Sequence, residues 1–121
     1  MRIGMIVGVA LLGAATPAAA MPVSAFLAKA DTLQKKGAMA VFSSDLKLLM
    51  NVVKQDFAQL RAERLAAKAA QRPAAFCPPE GGVKMTNKDI MDAMQAVPAS
   101  SRPSTDTRDA LRSYMARRFP C

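Results

Sequence analysis

Histidine and tryptophan are absent from this chain, tyrosine occurs once and cysteine only twice. Without histidine, the commonest general base, the usual nitrogen ligand for metals and every histidine-dependent triad are missing. No serine sits in a G-x-S-x-G setting, which excludes the nucleophile elbow. Glu80-Gly81-Gly82 is too short for a phosphate loop, since no Gly-Lys-Ser/Thr follows it. There is no C-x-x-C pair to carry thiol redox chemistry. Asp89 with Asp92, and Asp106 with Asp109, are spaced to share a proton or a metal. They read instead as negative charges favoured by the first turns of helices. The chain is therefore expected to be non-enzymatic, with no cofactor and no metal. Five phenylalanines and one tyrosine make no base-stacking surface, so nucleic acid is not an expected partner.

At 121 residues, the chain allows one small domain at most. It starts Met1-Arg2, followed by an uncharged run from Ile3 to Ala20 that ends in Thr16-Pro17-Ala18-Ala19-Ala20. One positive charge, an apolar stretch and an Ala-x-Ala ending predict a secretory signal peptide cut after Ala20. The alternative is a retained membrane anchor. Gly4, Gly8, Gly13 and Pro17 favour cleavage, which leaves residues 21–121 as a single exported, periplasmic domain. Loss of Arg2 with the leader leaves 16 basic and 9 acidic residues, a net charge of +7. Outside the cytoplasm that charge points to an acidic protein, cell-wall carboxylates or an anionic membrane surface.

Export into an oxidising compartment makes Cys77 and Cys121 a predicted disulfide. Such a bond, closing a loop of about 45 residues, stabilises by about 4 kcal/mol in the chain-entropy model.

The apolar periodicity is helical throughout and never alternates as a strand does. The prediction is an all-α fold, a small bundle of about four helices with one disulfide. The first helix runs from Pro22 to Lys36, with Val23, Phe26, Leu27, Ala30 and Leu33 inward and Gly37 as a left-handed cap. A single turn is expected over Ala38 to Phe42. Ser43 or Ser44 caps a long helix reaching about Arg72, where Pro73 stops it. Leu46, Leu49, Met50, Val53, Phe57 and Leu60 form its expected core face. Its alanine-rich second half is expected to project beyond the core. Pro78 to Met85 reads as irregular. Thr86 and Asp89 form a capping box opening a third helix of about 11 residues, with Ile90, Met91, Met94 and Val97 inward. Pro98 to Pro103 reads as an exposed loop. Ser104, Thr105 or Asp106 caps a last helix carrying Ala110, Leu111, Tyr114 and Met115, which Pro120 ends.

Lys54, Arg61, Arg64, Lys68 and Arg72 fall within an arc of roughly 80° on the long helix, with Asp56 and Glu63 on the opposite side. Such a band is either a solvated flank or an electrostatic docking surface. Met39, Met50, Met85, Met91, Met94 and Met115 read as core filler, with an adaptable interface as the alternative.

Two cysteine-bearing corners give the C-terminal segment a recognisable shape. It opens Phe76-Cys77-Pro78-Pro79-Glu80-Gly81, continues through a capped helix and a Pro/Ser/Arg loop, and closes Ala110-Leu111-Arg112 … Phe119-Pro120-Cys121. Over residues 76–121 this resembles the Rap/Tai family, whose named members are immunity proteins against type VI secretion amidase effectors. The family's additional cysteine and Gly-Tyr helix have no counterpart in Ser44 to Arg72. The resemblance implies a periplasmic helical protein, commonly a homodimer, that occludes a peptidoglycan-cleaving amidase with an inserted loop or helix. Ser100, Ser101 and Arg102, in the Pro98–Pro103 loop, are then candidate inserting residues. Arg61, Arg64, Lys68 and Arg72 are the other candidate partner-binding residues. The alternative function is that of an exported basic helical protein associating with the cell envelope.

Overall fold

Proline and glycine punctuate the first helix, α1 (Val23–Lys36), as the sequence predicts. The computed structural model describes residues 20–121; the expected export signal, residues 1–20, lies outside the described residues except for Ala20. Pro22 precedes α1 with an extended ψ, and Lys35 and Lys36 lie at its negative end. Gly37 has φ 57° and ψ −130°, so it turns the chain sharply instead of closing a left-handed cap. A six-residue 3₁₀ segment, Gly37–Phe42, follows where a single turn was expected.

The Ser43 hydroxyl caps α2 (Ser44–Ala69), accepting from the Asp45 amide. This helix ends three residues earlier than Pro73 alone would dictate. Gln71 takes a left-handed φ of 55°, and the Arg72 amide donates back to the Ala67 carbonyl at 2.8 Å. Leu49, Val52, Asp56 and Leu60 are its buried residues. Met50, expected inside, is 60% exposed. It lies within the angular sector of the basic arc, about 100° from Leu49 and about 80° from Leu60.

The capping box forms as read, opening α3 (Asn87–Gln95). The Thr86 hydroxyl accepts from the Asp89 amide, and the Asp89 carboxylate accepts from the Thr86 amide. Thr86→Ala is expected to lower stability by about 1 kcal/mol in urea unfolding, leaving the slope unchanged.

The predicted Pro98–Pro103 loop is instead a 3₁₀ segment, Ala99–Ser104, packed against α1. Arg102 sets it: its guanidinium donates to the carbonyls of Val97 (2.9 Å) and Gln95 (3.1 Å), satisfying the end of α3. Asp106 precedes α4 (Thr107–Arg118), without a capping bond from its side chain.

The fold is an all-α bundle of four α-helices and two 3₁₀ segments among the described residues. The last helix, α4, packs on α2 and α3, while α1 packs on α2 and α3 and touches α4. Phe26, Leu33, Leu60, Met94, Leu111 and Met115 are prominent in the shared core. The starts of α1 and α4 are tied by backbone bonds, Val23 amide to Thr105 carbonyl at 2.8 Å and Thr107 amide to Met21 carbonyl at 2.9 Å. The predicted disulfide, Cys77–Cys121, joins the segment after α2 to the segment after α4. Its Cα atoms are 4.9 Å apart, and the Cys77 amide donates to the Phe119 carbonyl at 2.8 Å.

Candidate functional site

Beyond Leu60 no residue of α2 is buried. Ala62, Ala66, Ala67 and Ala69 replace bulky side chains there, so the helix continues on propensity and projects past the core. The chain reverses at Gln71 and comes back as irregular backbone through Pro73, Pro78 and Pro79. The Cys77 bond holds this returning segment against the rest of the molecule. Between it and the projecting part of α2 lies an open groove of about 930 Å³.

The groove floor is apolar. Phe57, Leu60 and Leu65 come from α2, Phe76 and Met85 from the returning segment, and Met115 from α4. Arg61, Arg64, Lys68 and Arg72 line it as well, with Glu80 the one carboxylate among the lining residues. From Arg61 to Lys68 the cations run along about 10 Å of helix. None of the four is ion-paired among the described residues. By contrast, Arg108 faces Asp56, Arg112 pairs with Glu63 and Asp109, and Arg118 faces Asp89. An unpaired row of cations beside apolar surface favours a ligand that presents carboxylates or phosphates alongside apolar groups.

Four of the five residues of the predicted basic arc therefore meet at one site, and Lys54 stands outside it. Ser100, Ser101 and Arg102 do not line the groove. Ser100 is exposed, whereas the Ser101 carbonyl accepts from Ser104 and Thr105 hydroxyls, and Arg102 is engaged with α3. Of the three candidate inserting residues, only Ser100 is exposed. The groove's second wall escaped sequence reasoning because residues 74–85 have no periodicity. The clue was the cluster of prolines next to a predicted disulfide.

Three of the four paired carboxylates serve a helix, and Asp106 makes no capping bond. Asp89 accepts from the Thr86 amide, from the Thr86 hydroxyl and from Tyr114, and these bonds lower its pKa to about 2. Asp92 pairs with Lys88 at 2.8 Å, and Asp109 with Arg112. No group of three or more metal-ligating side chains occurs among the described residues.

Asp56, opposite the basic arc as read, proves to be a core residue only 1% exposed. Its Oδ2 accepts from the Thr107 hydroxyl at 2.6 Å, and its Oδ1 lies 3.6 Å from Arg108 Nε. Burial pushes its pKa up, opposed first by the Thr107 bond and then by Arg108. The sequence signal was available: Val52, Asp56 and Leu60 follow at four-residue spacing, which puts Asp56 on the apolar stripe.

Fold and groove together define a small disulfide-braced helical scaffold bearing a cationic, apolar-floored cleft. No protein-family model, no curated protein and no solved structure matches the chain.

Proposed function

We propose that this chain is a non-enzymatic exported binding protein of the Rap/Tai immunity type, which engages and occludes a cell-wall amidase. The carrying observation is the groove: four cations without an ion pair among the described residues, beside an apolar floor, on a scaffold braced by one disulfide. An acidic segment of the partner fits this chemistry, with apolar side chains on the floor and carboxylates against Arg61, Arg64, Lys68 and Arg72. The corners Phe76-Cys77-Pro78 and Phe119-Pro120-Cys121, which carry the resemblance, meet at the disulfide beside this groove.

The test is recovery of partners from periplasm on immobilised protein, wild type against the Arg61→Glu, Arg64→Glu, Lys68→Glu triple variant. Wild type is expected to retain a stoichiometric cell-wall hydrolase. The triple variant loses about 2–4 kcal/mol of binding, roughly 30- to 1,000-fold in Kd. These side chains lie outside the buried core, so circular dichroism should report an unchanged fold. Equal recovery by both proteins at low salt removes the groove from the binding site. Recovery only with membranes favours the envelope-associated alternative.

A further inference from the structure

The 3₁₀ segment between α1 and α2 presents a second surface, away from the groove. Met39, Val41 and Phe42 are 65, 67 and 81% exposed, and no residue of the segment is buried. Ala40 packs against the core cluster and anchors the turn while its neighbours project outward. Lysines flank this apolar tip. Lys35 and Lys36 immediately precede it, and Lys47 lies in the opening turns of α2. The nearby carboxylates are already engaged, Asp31 by Lys35 at 3.0 Å and Asp45 by Lys29 at 3.3 Å. Lys36 and Lys47 have no carboxylate partner among the described residues.

We infer that this tip is a membrane-insertion element, which seats the protein peripherally on an anionic bilayer. Met39, Val41 and Phe42 enter the boundary between headgroups and acyl chains, while Lys36 and Lys47 meet lipid phosphates. Charge complementarity selects this occupant. In a dimer formed tip to tip, the same unpaired lysines of two copies would face each other. No described helix is long and apolar enough to cross a membrane, so attachment through the described residues is at the surface. The tip lies at the start of α2 and the groove flanks its far half, about 20–35 Å away along the helix. The inference stands independently of what the groove binds.

The chain contains no tryptophan, so Phe42→Trp places a single indole at the tip. Vesicles of phosphatidylglycerol and phosphatidylcholine in equal parts should shift its emission to the blue, with quenching by brominated acyl chains. Pure phosphatidylcholine should bind at least tenfold more weakly, as should a Phe42→Trp protein that also carries Lys36→Glu and Lys47→Glu. Leu65→Trp, at the groove, is the positional control and should not shift. Three results would overturn the inference: no shift of the tip indole at low salt, a shift only at Leu65→Trp, or a lipid-free shift that tracks dimer mass.

Discussion

Replacing Cys77 or Cys121 with serine is expected to lower stability by about 4 kcal/mol and the melting temperature by roughly 15–25 °C. The cysteines are separated by 44 residues, and opening a loop of that length returns most of this free energy to the unfolded chain as entropy. The native state has little reason to come apart locally. Phe76 is buried, the Cys77 amide still reaches the Phe119 carbonyl, and α4 remains packed on α2 and α3. The single variants, the double variant and reduced wild type should therefore unfold at the same midpoint. Urea unfolding with and without reductant checks this, and an unchanged midpoint on reduction would refute it. The same bond holds the wall of the groove, because Pro78 and Pro79 directly follow Cys77.

Local chemistry was the legible part of the sequence. Pro22 and Gly37 bracket α1, Ser43 caps α2, and Thr86 with Asp89 opens α3, because each device acts within a few residues. The basic arc was equally readable, since helix geometry fixes angular positions without reference to any neighbour. What helix geometry leaves open is which neighbour covers each side. Met50 illustrates this: it is apolar and follows the core residue Leu49, yet it is exposed. The groove needed still more, because its second wall is irregular backbone placed by a long-range covalent bond. Pro98 and Pro103 suggested an open loop. The competing cause was the set of unsatisfied carbonyls at the end of α3, which Arg102 reaches across to fill.

Asp56→Ala is expected to lower stability by about 3–5 kcal/mol, because it leaves two buried groups without a partner. The Thr107 hydroxyl loses its only acceptor among the described residues, and Arg108 Nε loses the charge that faces it. The consequences extend beyond α2 and α4. The Thr107 amide also binds the Met21 carbonyl, so this residue joins the starts of α1 and α4 to the middle of α2. Asp56→Asn separates charge from hydrogen bonding, since an amide oxygen still accepts from Thr107. The pH dependence of the two proteins should then differ with a definite sign. Burial raises the folded pKa of Asp56 above 3.8, so the native state holds a proton that the unfolded chain releases. The stability linked to this proton is fully present below the unfolded pKa and lost as pH rises through the folded value. Asp89 behaves oppositely. Its lowered pKa stabilises fully above 3.8, and that contribution fades as pH falls toward about 2. Subtracting the Asp56→Asn profile from that of the wild type cancels Asp89 and isolates Asp56. The wild type should lose stability relative to Asp56→Asn as pH rises from about 4, measured by urea unfolding at each pH. A difference that is flat, or that runs the other way, would mean that Thr107 and Arg108 hold the carboxylate ionised despite its burial. In either case Asp56 fixes the register of α2 against α4, and with it the direction in which the cationic end of α2 projects.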